Sequence, residues 1–197
     1  MTTLTTERLS LEPVTARNAE VLWKVMQSPN LREYQDIPRF TRDEFEQRVA
    51  SRPKQFRNRV LGRFEWIVIT RDERKALGWV SLRIGEHMRN SAELGYSLIG
   101  AHRSQGYATE ATAAIVEAGF ESGGLARIDA CCVPQNIASR RLLDRLGFRQ
   151  TKTQKAGAVV RGRAVDIIVY EMTRELWAAR QAGSENSIVM PASSKPK

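Results

Sequence analysis

The sequence predicts an α/β (α+β) fold, and three observations carry this prediction. Two apolar stretches rich in β-branched residues, 64–70 and 76–84, flank a short polar turn and indicate a hairpin. Between residues 92 and 122, a strand pattern runs through a turn of small residues into an Ala-rich helical pattern. Two more strand patterns follow at residues 151–159 and 165–172. Strand patterns therefore outnumber helical ones, and several are neighbours along the chain.

A strand and a helix open the chain. Residues 8–13 alternate polar and apolar side chains and end at a proline, which predicts a first strand. Thr15 is placed to cap the next helix, in which apolar residues recur at helical spacing from Ala19 to Met26. Thr41 and Glu44 then form the pattern of a capping box, which predicts a second helix.

The central segment predicts a phosphate-binding turn. An apolar strand pattern, residues 92–99, leads into the run Arg-Ser-Gln-Gly-Tyr-Ala-Thr-Glu at residues 103–110 and then into a helix. This order gathers free backbone N–H groups and a positive helix end at one place, where a phosphate can bind. Gly106 lets the backbone approach a ligand closely, and Ala108 keeps bulk away. Arg103 adds a cation with bidentate reach.

This turn and the segment after it resemble the coenzyme A signature of the GNAT superfamily of acyltransferases. The family pattern Arg/Gln-x-x-Gly-x-Gly/Ala here becomes Arg103-x-x-Gly106-x-Ala108. A short strand at residues 128–133, then Asn136, then a short helix ending in Gly-Phe follow in the order of the family. The opening strand, proline and helix are also similar to the Rim-type branch, the ribosomal-protein N-terminal acetyltransferases and their relatives.

The resemblance implies both a fold and an activity. The fold is a GNAT-like mixed, mostly antiparallel sheet of six to seven strands with helices on both faces, in one domain over residues 1–180. The strand containing residues 93–99 should diverge from the strand that ends near Val133. The activity is transfer of an acetyl group from acetyl-CoA, without a metal, to a primary amine that attacks the thioester directly. From Gly183 the composition turns to Ser, Asn, Pro and Lys, and we expect residues 183–197 to be a disordered tail.

The resemblance also implies the residues that would bind the coenzyme. The backbone of one strand would pair with the pantetheine arm, and the phosphate turn would hold the pyrophosphate. Asn136 would bond the pantetheine amides. The strand residues are Tyr96, Ser97 and Leu98, and the turn residues are Arg103, Ser104, Gln105, Gly106, Tyr107, Ala108 and Thr109.

Direct attack needs a neutral amine, a donor for the oxyanion and a proton for the leaving thiolate. Glu93 is a candidate base acting through water, and an ion pair with a residue such as Arg83 is the structural alternative. Ser139 lies three positions after the asparagine, as the Rim-type proton donor does, and a hydroxyl bonded to helix backbone is its alternative. Leu143 and Cys131 occupy the positions where other GNATs have a tyrosine acid and a glutamate base.

The acceptor is not determined by these motifs. A protein N-terminus, an amino acid or another small amine each fit. In the family, the region after the first helix overhangs the acceptor site, where Arg32, Tyr34 and Gln35 are candidate contacts. A non-catalytic acyl-CoA-binding or nucleic-acid-binding module on the same fold is the alternative function.

Charge and composition limit the kinds of partner that the protein can have. The net charge is +9, and much of it comes from two basic clusters, at residues 48–63 and 145–163. They predict a nucleic-acid or ribosome contact, a solvated surface, or a positive entrance for the coenzyme's phosphates. Without a long apolar run or a secretory signal, and with adjacent Cys131 and Cys132 unsuited to a mutual disulfide, we expect a cytoplasmic enzyme with no membrane partner. A monomer and a homodimer both remain open.

Overall fold

Eight strands form a single sheet in the computed structural model, which describes residues 1–35, 37–57, 59–88, 90–102 and 104–186. The strands are β1 (Leu4–Thr5), β2 (Leu9–Pro13), β3 (Gly62–Thr70), β4 (Ala76–Ile84), β5 (Ser91–Leu98), β6 (Arg127–Cys132), β7 (Arg149–Val160) and β8 (Arg163–Thr173). The helices are α1 (Ala19–Met26), α2 (Arg42–Ala50), α3 (Tyr107–Glu121), α4 (Ile137–Leu146) and α5 (Arg174–Asn186).

The strand order is β1-β2-β3-β4-β5-β6-β8-β7, and β5 with β6 is the parallel pair among antiparallel neighbours. The predicted mixed, mostly antiparallel sheet is therefore confirmed. It has one or two strands more than expected. The extra edge strand β1 pairs with β2 through only Leu4–Leu11 and Thr5–Ser10, a stretch too short to show a period in the sequence.

Side-chain alternation along β3 explains why helices cover both faces. Phe64, Trp66 and Val68 pack into the core beneath α3 and α4, whereas Ile67 and Ile69 pack beneath α1 and α2. Ile67 and Val68 are both fully buried, and burying such a side chain stabilises the fold by about 1.5–3 kcal/mol. A strand buried on both faces reads as a continuous apolar run, as β3 does.

Local capping at the first two helices gave one correct and one wrong prediction. Thr41 and Glu44 form the predicted capping box at the start of α2. At α1, however, the N-cap is Asn18, not Thr15. The Asn18 side chain accepts a hydrogen bond from the Thr15 backbone N–H at 2.7 Å, and this turn moves the helix start three residues along the chain.

The parallel strands β5 and β6 separate halfway along their length. They pair from Ser91–Arg127 to Leu94–Ala130, and β5 then continues to Leu98 without β6. The predicted divergence is confirmed. Beyond Leu94, the backbone N–H and C=O groups on this side of β5 have no ladder partner in β6 and can bind a ligand.

The last helix packs back on the sheet's larger core. Trp177 of α5 lies 5.4 Å from Phe120, ring centroid to centroid. This helix continues to Asn186, so it includes the first four residues of the expected tail; residues 187–197 lie outside the described residues. Within the described part of the chain, no helix is long and apolar enough to span a membrane.

Candidate active site

A cavity of about 330 Å³ occupies the gap between β5 and β6. Its wall combines both strands, the N-terminal end of α4, the loop after α1 and the β7–β8 hairpin. The residues that line it include Tyr34, Gln35, Glu93, Gly95, Tyr96, Ser97, Cys131, Cys132, Asn136 and Ser139. The gap therefore brings together both proposed acid–base residues, two of the three strand residues assigned to pantetheine and the motif's asparagine. Leu98, the third strand residue, is buried beyond it.

The N-terminal end of α4 presents a hydroxyl to this cavity. Asn136 caps the helix: its Oδ1 accepts the Ser139 backbone N–H at 3.0 Å. The alternative role of Asn136 as a cap is thus present, and its side-chain NH₂ makes no hydrogen bond with the described residues. Because Asn136 does the capping, the Ser139 hydroxyl is directed elsewhere. It lies 2.6 Å from the phenol oxygen of Tyr96.

The role of the Tyr96 side chain was not predicted from the sequence, which indicated a role for the backbone of that residue alone. Burial raises the pKa of the Tyr96 phenol far above its ordinary value, although the bond to Ser139 opposes this shift. The phenol is therefore neutral across the physiological range and can donate a hydrogen bond to the Ser139 hydroxyl. Tyr96 and Ser139 are separated by 43 residues, so no sequence spacing indicates the pair.

The phosphate turn has the geometry that its sequence predicts. Gly106 has φ of 85° and precedes α3, whose first turn has no side-chain cap. Ser104 also adopts a left-handed conformation, with φ of 64°. The N–H groups of Tyr107, Ala108 and Thr109 thus begin a 15-residue helix and are available for an anion. Arg103, the fixed cation of the motif, lies outside the described residues.

An arginine from the other end of the chain supports this turn. Arg8, just before β2, donates to the Gln105 carbonyl at 2.9 Å and pairs with Glu110 in the first turn of α3 at 2.6 Å. Burial tends to raise the pKa of Glu110, but the bonds from Thr6 and Arg8 outweigh it and the pKa is lowered. The ion pair neutralises a carboxylate that would otherwise repel a phosphate.

Glu93 pairs with Arg83, the partner expected if its role is structural. Its carboxylate forms an ion pair with Arg83 on the neighbouring strand, where the two residues are directly opposite in the register. The Glu93 side chain is 36% exposed at the edge of the cavity. It therefore reaches the site and is already paired there.

Both cysteines lie in the cavity wall as thiols. Desolvation by the surrounding cavity wall and the nearby Glu93 charge raise the pKa of Cys131 to about 11 although part of its surface is exposed, and burial raises the pKa of Cys132. They are free, with Cys131 exposed and Cys132 buried on opposite faces of β6, as their adjacency predicts.

Comparison with known proteins identifies the family. Residues 8–149 match the model of an acetyltransferase (GNAT) domain, which is most of the chain. The chain belongs to the GNAT acetyltransferases. This GNAT enzyme is 30% identical over 183 residues to the uncharacterized N-acetyltransferase p20 of Bacillus licheniformis, covering 90% of this chain and 99% of that one. It is 26% identical to the uncharacterized N-acetyltransferase YoaA of Bacillus subtilis, with 87% and 96% covered.

Solved structures of Rim-type GNATs share the fold. The ribosomal-protein-S5-alanine acetyltransferase of Vibrio fischeri superposes with a TM-score of 0.77 at 20% identity, covering 90% of this chain and 99% of that one. RimL, a ribosomal L7/L12 alpha-N-protein acetyltransferase in complex with coenzyme A, gives 0.75 at 18% identity, with 87% and 98% covered. The resemblance to Rim-type enzymes is thereby confirmed for the fold, which is all that a likeness at these identities shows.

The family uses acetyl-CoA as its acetyl donor. In the part of the chain that the structure describes, no three His, Cys, Asp or Glu residues come together in a way that could hold a metal ion. The wall of the cavity between β5 and β6 carries hydroxyls and thiols.

Proposed function

We propose that this GNAT enzyme transfers the acetyl group of acetyl-CoA to a primary amine by direct attack on the thioester. The observation that carries the proposal is the gap between β5 and β6, which opens directly before the phosphate turn of α3. The pyrophosphate would bind at the turn, and the pantetheine arm would extend along the unpaired edge of β5 into the 330 Å³ cavity. A free backbone N–H of that edge would stabilise the oxyanion.

The chemical state of the cavity cysteines supports direct attack over an acetyl-cysteine intermediate. A covalent route needs a thiolate nucleophile. Desolvation raises the pKa of both Cys131 and Cys132, so both thiols stay protonated at neutral pH. In direct transfer the amine nitrogen loses one proton and the coenzyme sulfur gains one, and no enzyme group is acylated.

Ser139 is the proposed donor to the leaving thiolate, with Tyr96 as its positioning residue. The phenol lies 2.6 Å from the Ser139 hydroxyl, and its raised pKa keeps it in the donating form. When Tyr96 donates to the serine oxygen, the serine proton can point into the cavity, where the Cys132 thiol is also a hydrogen-bond neighbour of Ser139. The two side chains together take the place of the tyrosine acid that is absent at Leu143.

Substitution of Glu93 tests whether this residue acts as the general base or only forms an ion pair. Because its carboxylate is bound to Arg83 and partly exposed, we expect Glu93→Gln to lower the free energy of unfolding by less than about 1 kcal/mol. The pH–rate profile should keep its shape. Denaturant unfolding and kcat/KM between pH 5 and 9 would check both. A flattened acidic limb, with stability unaltered, would instead assign Glu93 as the base.

The proposed function is tested by thiol release from acetyl-CoA with a panel of amines. N-terminal peptides come first, since the two Rim-type neighbours are named for ribosomal-protein substrates, followed by amino acids and polyamines. We expect amine-dependent thiol release and a product heavier by one acetyl group in mass spectrometry. Tight acetyl-CoA binding by calorimetry without turnover on any amine would contradict the proposal and favour the non-catalytic module.

A further inference from the structure

A second cavity, of about 380 Å³, lies beneath α2 on the face of the sheet that carries Glu93. Its floor is formed by β3 and β4 and its roof by α2 and the loop before it. The lining residues are Met26, Gln35, Ile37, Pro38, Phe40, Phe45, Arg48, Ser51, Arg52, Arg63, Glu65 and Trp79. We call this cavity the arginine pocket.

Charge in the arginine pocket is unbalanced. The Glu65 side chain is only 2% exposed and is held between Arg52 and Arg63, the latter at 2.5 Å. Arg48 is exposed at the mouth of the pocket, where it lies over the Phe40 ring at 4.4 Å and interacts electrostatically with the Glu44 carboxylate one helical turn earlier. Three guanidinium groups and one carboxylate line the pocket, so its lining carries more positive than negative charge, and the other lining residues are aromatic or aliphatic apart from Gln35 and Ser51.

One residue joins this pocket to the proposed active site. Gln35 lines both cavities, and its Nε2 donates to the Ser97 hydroxyl at 3.0 Å. The sheet register gives the separation: Glu65 is opposite Ser81, and Ser81 is opposite Gly95 in the wall of the gap. Two strand spacings therefore place Glu65, on the floor of the pocket, roughly 10 Å from Gly95 in the wall of the gap.

We propose that the arginine pocket binds a carboxylate of the acetyl acceptor while the acceptor's amine lies at the thioester. This inference rests on the proposed function and names its substrate class: an amine with an acidic group about 10 Å away, such as a peptide acidic at its second or third residue. The aromatic and aliphatic walls suit the methylene stem of that side chain, and Arg48 supplies the cation that pairs with its carboxylate. Part of the first basic cluster is thereby assigned to substrate recognition.

The test compares two peptides with the same N-terminal residue, one with Glu and one with Gln at the second and third positions. Binding to the protein saturated with coenzyme A is measured by calorimetry, and kcat/KM by thiol release. We expect the Glu peptide to be favoured by about tenfold to a hundredfold in both measurements, the scale of a charge-assisted contact. The preference should shrink as salt is raised.

Arg48→Glu should abolish the preference for the Glu peptide and create one for a Lys peptide. Arg52 and Arg63 are unsuitable for this test, because removing either leaves the buried Glu65 short of a partner. Arg57→Glu is the matched control: it makes the same charge change at an exposed member of the basic cluster that lines neither cavity. It should retain the Glu preference.

Three results would overturn the inference. Equal affinity of the wild-type protein for the Glu and Gln peptides would do so even if both are acetylated, and the proposed acetyltransferase function would then stand. Equal loss of preference in the Arg48 and Arg57 variants would reduce the effect to general surface charge. A short RNA that displaces the bound Glu peptide, and that an excess of free Glu peptide does not displace, would assign the pocket to nucleic acid. Failure of the proposed function itself appears separately, as absence of thiol release with every amine.

Discussion

Gly106→Glu is expected to abolish acetyl-CoA binding, weakening it by about a hundredfold or more, while the protein remains folded. The substitution places a carboxylate at the N-terminal end of α3, where the free N–H groups of Tyr107 to Thr109 and the helix dipole favour a phosphate. A side chain also fills the close approach that only glycine leaves open. Its Cβ would lie 3.2 Å from an Arg8 nitrogen, at the end of a flexible side chain that can yield. Calorimetric titration with acetyl-CoA measures the effect.

The matched control for this variant is Gly162→Glu. Gly162 lies in the β7–β8 turn with φ of 74°, close to the 85° of Gly106, and a Cβ added there would have no described atom within 4 Å. Both substitutions therefore carry a left-handed penalty of about 1 kcal/mol, which lowers the melting temperature by roughly 2–4 °C. Only the Gly106 variant should lose the coenzyme. Unaltered affinity in that variant would show that the pyrophosphate binds elsewhere.

Ser139→Ala is expected to lower kcat by roughly tenfold to a thousandfold with little change in the KM for acetyl-CoA. The hydroxyl contacts Tyr96 and the cavity, whereas the helix is capped by Asn136, so the loss should appear in the rate and not in helix stability. A small stability cost of about 1 kcal/mol comes from leaving the phenol without its short hydrogen bond. Steady-state kinetics and thermal unfolding on the same preparation separate the two effects.

Tyr96→Phe supplies the control for the role of Ser139. If the phenol acts only through the serine, the double variant should be no slower than Ser139→Ala alone, because the pair works as one unit. Since the pKa of Tyr96 is raised, its ionisation adds no basic limb to the rate profile near neutral pH in the wild type. Above about pH 10 the unfolded chain can ionise this phenol before the folded chain does, so stability should fall there in the wild type and fall less in the variant. Independent, multiplying losses in the two single variants would argue against a coupled pair.

Much of the fold could be predicted because its signals are local. The hairpin of β3 and β4 follows from two apolar runs and the polar turn between them. The capping box of α2 needs only Thr41 and Glu44, three residues apart. The phosphate turn likewise depends on neighbours: Gly106 takes a left-handed conformation beside small residues at the start of a helix. The Arg83–Glu93 pair could be predicted for the same reason, because the two residues lie on adjacent strands whose register places them opposite each other.

The sequence by itself determined the family, the strand–turn–helix motif and the type of ligand suited to it. Only the tertiary structure decided which side chains meet in the site. Tyr96 reaches Ser139 across 43 residues, Arg8 reaches Glu110 across 102, and Arg52 reaches the buried Glu65 on the floor of the arginine pocket. Such contacts depend on sheet order, on the point where β5 leaves β6 and on how each helix packs. No periodicity along the chain encodes them, because a period specifies which face a residue occupies and not what lies opposite that face.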